Sequence, residues 1–251
     1  MRFGSLSLVR RGLTAVAAGT LFVSSIAGLG ATSALAQDAT ASPGAAGTPA
    51  PTVVTNVDTS GCWSAAPTYT STGASLYPQW TTAPNMVIDP NGTYTATITT
   101  NLGVVTIQLY ASKAPTTVNN FVCLAGHGYY DKTVFHRILA GFVVQGGDPT
   151  GSGSGGPGYQ FKDELPTDLN YTAGVVAMAN AGANTNGSQF FICLDDLSSR
   201  LTKSYSIFGT VSGGMDVVNA LGAVPVTTGP SGESSSPTAP AGIISVAITK
   251  A

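Results

Sequence analysis

Short runs in which apolar and polar residues alternate, cut by glycine-rich turns, constrain the fold of this chain most tightly. Tyr94, Ala96 and Ile98 alternate with threonines, and Val105, Ile107 and Leu109 alternate with Thr106 and Gln108. A period of two puts each apolar set on one face of a strand. Asn101-Leu102-Gly103 between them supplies a turn, so the pair predicts a β-hairpin. Short apolar runs then recur between Gly-rich turns at Val134–Ile138, Phe142–Gln145, Gly174–Met178, Phe190–Leu194, Ser206–Val211 and Ile243–Thr249. Two helices interrupt them. Pro115 suits a first helical turn, Val118, Phe121, Val122 and Ala125 have helical spacing, and Gly126 can end it. A shorter helix is expected around Met215–Leu221. The pattern predicts a mainly β domain over residues 93–251: a closed eight-stranded antiparallel β-barrel capped by two helices.

The N-terminal part of the 251-residue chain reads differently. Arg2, Arg10 and Arg11 precede an apolar stretch from Leu13 to about Leu35, which closes on Ala34-Leu35-Ala36. This is the pattern of an export signal over residues 1–36, with Gln37 as the mature start. The stretch could also span a bilayer of about 30 Å, so an uncleaved anchor is the alternative. The expected location is secreted or cell-surface, membrane-anchored if the signal stays uncleaved. Residues 37–60 are rich in Ala, Thr, Pro, Gly and Ser and read as a flexible spacer. Residues 61–92 add two Trp to a loop-like background and read as an irregular extension.

Charge excludes several function classes. Losing residues 1–36 removes three arginines and no acid, so ten basic and twelve acidic residues become seven and twelve, a net −5. Such a surface does not attract nucleic acid or anionic lipid, and no Lys/Arg cluster argues for either. Three cysteines, Cys62, Cys123 and Cys193, cannot all pair within one chain. Export permits a disulfide, and Cys62 could pair with Cys123 or Cys193. No C-x-x-C or H-x-x-x-H spacing suggests a metal site. Gly151, Gly153 and Gly156 satisfy G-x-G-x-x-G, but Pro157-Gly158 follows where a helix would be needed, so a surface loop is expected instead of a dinucleotide site. There is no G-x-S-x-G elbow.

Two segments carry a specific pattern. Phe135-His136-Arg137-Ile138 precedes Gly141-Phe142-Val143-Val144-Gln145-Gly146-Gly147-Asp148. Later come Met178-Ala179-Asn180-Ala181-Gly182 and Asn184-Thr185-Asn186-Gly187-Ser188-Gln189-Phe190-Phe191-Ile192. Here the sequence resembles the cyclophilin family of peptidyl-prolyl cis-trans isomerases, from about Thr93 to Thr249 and including the Ala114-Pro115-x-Thr117-Val118-x-Asn120-Phe121 helix start. The resemblance implies a cofactor-free isomerase acting on proline-containing polypeptides, expected as a monomer. It implies Arg137 as the catalytic arginine and Gln145 as the glutamine that orients it and bonds the substrate. Phe142, Phe191 and Leu201 would wall the proline pocket, with Val143 where many members have Met. Ala179, Asn180 and Ala181 would hold the extended peptide, with Gln189 beside them, and Tyr205 falls where many members have His. Weak cyclosporin binding is also implied, because Arg200 stands before Leu201 where sensitive members carry Trp.

The residue chemistry fits that reaction on its own terms. An X-Pro bond prefers trans by only about 0.5–1 kcal/mol, yet rotation meets a barrier of about 18–20 kcal/mol. Nothing has to be cleaved; amide resonance has to be weakened. An apolar pocket for the ring and a permanently charged donor near the prolyl nitrogen stabilise the twisted state selectively. Taken singly, each residue has a plainer reading. Arg137 could pair with an acid such as Asp163, Phe142 and Phe191 could be core, His136 could be a satisfied core histidine, and His127 a helix-end or loop residue.

Overall fold

The structure is a computed structural model, described here for residues 55–72, 75–229 and 232–251. The proposed export signal and the spacer up to residue 54 lie outside the described residues. In chain order the strands are β1 (Thr55–Asn56), β2 (Thr68–Thr72), β3 (Ser75–Gln79), β4 (Tyr94–Thr100), β5 (Gly103–Leu109), β6 (Arg137–Leu139), β7 (Val143–Gly146), β8 (Val175–Met178), β9 (Phe190–Cys193), β10 (Ile207–Gly213), β11 (Val226–Thr228), β12 (Ser234–Pro237) and β13 (Ile243–Lys250). The helices are α1 (Pro115–Gly126) and α2 (Met215–Gly222).

Each predicted run contributes a strand, but the one expected over Val134–Ile138 forms only at Arg137–Leu139, with Val134 left as an isolated bridge. β4 and β5 pair from Tyr94↔Leu109 to Thr100↔Gly103, leaving Asn101 and Leu102 as the turn. Tyr94, Ala96, Ile98, Val105, Ile107 and Leu109 all enter the main core. The large sheet runs β1-β13-β4-β5-β10-β8-β9-β7-β6, with every pairing antiparallel. Without the two-residue β1 it is an eight-stranded half-barrel. The expected closure is corrected: the barrel is open between β6 and β13. β6 is only three residues long, and the seam is bridged at Val134, which pairs singly with Gly242 and with Asp148.

α1 packs into the main core, with Thr117 through Ala125 all buried. Its N-cap, Ala114, offers no side-chain acceptor. Glu164 substitutes from a distant loop, accepting from the backbone of Thr116 at 3.0 Å and of Thr117 at 2.8 Å. A carboxylate suits the positive end of the helix dipole. The second helix begins after Gly214, whose φ of +80° is left-handed.

The segment ahead of β4 holds more order than its composition suggests. The last residues of the expected spacer form β1, which pairs with β13 through Thr55↔Lys250 and Asn56↔Thr249. Within the stretch expected to be irregular, β2 and β3 make a hairpin in register from Thr68↔Gln79 to Thr72↔Ser75. Threonines and a tyrosine suit strands, but they lack the apolar alternation that marks a strand. Trp80 and Ile88 join the main core. Trp63 stacks on Trp80 with ring centroids 4.1 Å apart. Asn119 of α1 accepts from the backbone of Val87 at 2.9 Å and donates to the carbonyl of Asn85 at 2.9 Å. Cys62 is disulfide-bonded to Cys123 of α1, which decides between the two partners left open by the sequence. Cys193 is a buried free thiol, and burial pushes its pKa up to about 12.

Among the described residues no helix is long and apolar enough to cross a membrane, and no group of three or more His, Cys, Asp or Glu could hold a metal ion.

Candidate active site

Strand register builds the site. Arg137 on β6 lies opposite Gln145 on β7, Gln145 opposite Phe191 on β9, and Phe191 opposite Ala177 on β8. These four form one cross-strand row on the outer face of the sheet. Their neighbours Ile138, Val144, Ile192 and Val176 point to the opposite face and join the main core. The period of two therefore makes two apolar clusters from one sheet. The outer cluster contains Val143, Ala177, Phe191, Cys193, Leu197 and Ile207, with Phe142, Ala179, Leu201 and Tyr205 packed against it. All the predicted proline-pocket residues meet there. Phe191 is 5% exposed, and the Tyr205 ring meets its ring edge-on at 5.5 Å. The plainer reading of Phe191 as a core residue therefore holds, in this second cluster, while Phe142 is only partly buried and packs against it.

Tyr205 is fixed from behind. Its backbone N–H donates to the Tyr171 hydroxyl at 3.0 Å, and that hydroxyl donates to the Tyr205 carbonyl at 2.9 Å. Arg200, at the rim, donates from Nη1 to the carbonyl of Gly141 at 3.0 Å, and its Cζ lies 4.7 Å above the Phe142 ring.

The polar half of the site is a chain of amides. Arg137 Nη1 donates to Gln145 Oε1 at 3.2 Å, Gln145 Nε2 donates to Gln189 Oε1 at 3.0 Å, and Gln189 Nε2 donates to the carbonyls of Gly153 and Gly155 at 3.0 Å each. This chain ends on the G-x-G-x-x-G stretch. That stretch is a loop, as expected, but it also walls a groove. Asp148 holds it, accepting from the backbone of Thr150 at 2.7 Å, Gly153 at 2.6 Å and Gly155 at 3.1 Å. Burial alone would raise the Asp148 pKa, but the Thr150 hydroxyl, donating to it at 2.8 Å, and these backbone donors outweigh burial and leave the carboxyl below its ordinary value.

The groove has a volume of about 770 Å³ and includes Gln145, Ala179, Asn180, Ala181 and Gln189 in its walls. It adjoins the apolar cluster along Gln145 and Ala179. Asn180 is held by its side chain, which donates to the carbonyl of Ser204 at 2.8 Å and accepts from the backbone of Gly182 at 3.3 Å. Thr185, which the sequence reading did not single out, accepts from the backbone of Ala181 at 2.8 Å. Gln79, at the end of β3, also lines the groove and donates to the carbonyl of Gly156 at 3.3 Å. Nothing in the sequence linked that extension residue to the site.

Two single-residue readings change. Arg137 does pair with an acid, but the acid is Glu233, through Nε–Oε2 at 2.6 Å and Nη2–Oε1 at 2.9 Å. Asp163 instead accepts from Asn184 and Asn186, each at 2.8 Å. His136 is not hydrogen-bond satisfied: both ring nitrogens are buried and have no partner. Burial, helped by the neighbouring Arg137 charge, keeps its pKa below the ordinary value against the opposing pull of Asp148. His127 does cap α1, with Nδ1 2.9 Å from the carbonyl of Cys123.

Comparison with known proteins gives a consistent result. The sequence model of the family described as cyclophilin type peptidyl-prolyl cis-trans isomerase/CLD matches residues 95–248. A peptidyl-prolyl cis-trans isomerase-like 1 of Neurospora crassa is 52% identical over 132 residues, which cover 51% of this chain and 80% of that protein. Its namesake in Mus musculus is 51% identical over 129 residues, covering 50% and 77%. Among solved structures, a cyclophilin type isomerase of Cryptosporidium parvum aligns with a TM-score of 0.58 at 37% identity, over 62% of this chain and 97% of that one. The same protein crystallised in the presence of the dipeptide Ala-Pro aligns with a TM-score of 0.57 at 38% identity, over 61% and 98%.

Proposed function

The chain belongs to the cyclophilin-type peptidyl-prolyl cis-trans isomerases, and from that premise we propose that it works outside the cytoplasm with Arg137 as the donor to the twisting bond. The observation that carries the arginine reading is the row Arg137–Gln145–Phe191: a permanent cation, the amide that orients it, and an apolar wall, on adjacent strands of one face. The proline ring packs on Phe191, Phe142, Val143 and Leu201, with Tyr205 closing one side. The flanking peptide lies along Ala179, Asn180 and Ala181, with Gln189 beside it. As the C–N bond rotates, conjugation is lost and the prolyl nitrogen regains its lone pair. An Arg137 N–H then donates to that nitrogen, an interaction the planar ground state cannot make equally well. The apolar wall limits water there and strengthens the charge effect.

Two observations support export. The first 36 residues read as a signal, and a disulfide joins Cys62 to Cys123, a linkage suited to an oxidising compartment. The substrate class is proline-containing polypeptide. The mature domain has no membrane or nucleic-acid role in this reading.

The test uses protein beginning at Gln37 and a short Xaa-Pro peptide, followed by exchange NMR in the presence of EDTA. The parent should accelerate exchange. Arg137→Ala should lose about 10²–10³-fold in kcat/KM, the range for removing one preorganised donor. A folded Arg137→Ala protein with full activity would refute the role of Arg137. N-terminal sequencing of protein recovered outside the cell should begin at Gln37; recovery of the chain only inside the cell would refute export.

A further inference from the structure

The segment between α2 and β13 carries the β11–β12 hairpin and brings Glu233 to Arg137. β11 pairs with β12 from Val226↔Pro237 to Thr228↔Ser234. The Glu233 carbonyl accepts from the backbone of Gly229 at 2.8 Å and of Ser235 at 3.0 Å, which fixes the acid at the hairpin turn. Gly232 just before it has a φ of +82°, a left-handed conformation that suits glycine. The side chain meets Arg137 in the two-pronged geometry that matches a guanidinium edge to a carboxylate.

Three of the five guanidinium N–H groups are thereby engaged: Nε and one on Nη2 by Glu233, and one on Nη1 by Gln145. The carboxylate and the glutamine amide hold the guanidinium from two sides, which restricts rotation of its plane. Two N–H groups remain to meet a substrate. Both partners of the ion pair are about one-third exposed, with side-chain exposures of 32% and 36%. An ion pair this open to water adds little to fold stability. Its use lies in orientation. The Arg137 guanidinium also holds the Glu233 carboxyl below its ordinary pKa, so the pair stays charged through neutral pH.

We propose that Glu233 is a positioning residue for the isomerase reaction, acting through Arg137 by fixing the plane of its guanidinium. This inference rests on the reading of Arg137 as donor to the twisting bond. A carboxylate also offsets part of the arginine's charge, which would slow the reaction. Orientation outweighs that effect here, because the pair is solvent-screened at distance while the hydrogen bond to the prolyl nitrogen depends on local placement.

The experiment compares Glu233→Ala, Glu233→Gln and Glu233→Asp in the parent and in an Arg137→Ala background, with kcat and KM resolved by exchange NMR over a peptide concentration series. Glu233→Ala should lower kcat about 10-fold, with KM changed by less than about 2-fold. Glu233→Asp should recover part of the loss, and the melting temperature should be nearly unchanged. In the Arg137→Ala background, Glu233→Ala should have no further effect. A kcat at or above that of the parent would overturn the inference, as would an equal loss in both backgrounds. If Glu233→Ala does not fold, Glu233→Gln, which keeps the side-chain shape, makes the same comparison. An Arg137→Ala protein with full activity removes the underlying reading, and the inference with it. An impaired Arg137→Ala beside a fully active Glu233→Ala removes the inference alone.

Discussion

Gln145 lies directly across the β6–β7 ladder from Arg137 and accepts its Nη1 hydrogen bond, while its own amide donates onward to Gln189. A carbonyl oxygen turned to the cation and an NH2 turned to an acceptor fix the orientation of the Gln145 amide. The arginine is thereby tied to the glycine-rich wall of the groove through two side chains.

That tie predicts a graded series. Gln145→Ala should lower kcat/KM about 10–100-fold, because it removes a hydrogen bond to the arginine and one to Gln189. Gln189→Ala, one link further from the arginine, should cost less. Exchange NMR on the same Xaa-Pro peptide gives both values, and a larger loss for Gln189→Ala would show that the relay does not run through Gln145.

Reduction of Cys62–Cys123 should loosen the extension more than the isomerase site. The bond joins residues 61 apart in sequence, and a closed loop of that length restricts the unfolded chain by about 4 kcal/mol in the entropy model, often less in practice. Cys62→Ser should lower the melting temperature and the urea midpoint, with peptide turnover changed by less than about 3-fold. A large loss of turnover in a variant still folded at the assay temperature would place the extension within the catalytic apparatus.

The strands that carry the site were legible because their two faces are both apolar and both used. Val143, Val144 and Gln145 show the alternation in miniature: outer cluster, main core, then the amide facing Arg137. Pro115 at the start of α1 was equally plain. The β2–β3 and β11–β12 hairpins were not, because runs of Ser and Thr with few apolar residues look the same in a strand and in a loop. Glu233 was hidden for a related reason. It is one acid in a Gly/Ser/Pro stretch, 96 residues from its arginine, and no local period reports such a contact. The disulfide partner also needed three dimensions: Cys123 is on the helix that meets the extension, whereas Cys193 belongs to the outer cluster. Barrel closure failed as an expectation because strand number says nothing about whether the last edges meet. Here β6 ends after three residues.

Asp148 should make the groove wall acid-sensitive. Its carboxyl titrates lower in the folded protein than in the unfolded chain, where the value is about 3.9. A depressed folded pKa gives stabilisation that is complete above the unfolded value and lost as pH falls through the folded one. Asp148→Asn should therefore be less stable than the parent at pH 6, by about 1–3 kcal/mol, since an amide NH2 would face backbone N–H donors. The difference between the two proteins should shrink as pH drops below about 4. Urea midpoints measured from pH 6 down to pH 3 test this, and a constant gap would show that the Asp148 charge contributes nothing.

Arg200 should make cyclosporin a weak ligand. The resemblance to the family implies that Arg200, before Leu201, stands where cyclosporin-sensitive members carry Trp. Its guanidinium lies over the Phe142 ring and is tied to the carbonyl of Gly141, so the rim is occupied by a planar cation where an indole would offer a larger flat apolar face. Loss of part of that apolar contact, at about 25 cal/mol per Å², costs roughly 1–3 kcal/mol, or about 5–150-fold in affinity. Trp63 and Trp80 cannot replace it, because they stack on each other in the extension. Catalysis should be less affected by Arg200→Trp, since Arg200 bonds the rim while Arg137 and Gln145 form the hydrogen-bonded row. Calorimetric titration should show Arg200→Trp binding cyclosporin more tightly than the parent, with kcat/KM for the peptide within about 3-fold. Equal, tight binding by both proteins would show that Arg200 does not set the affinity.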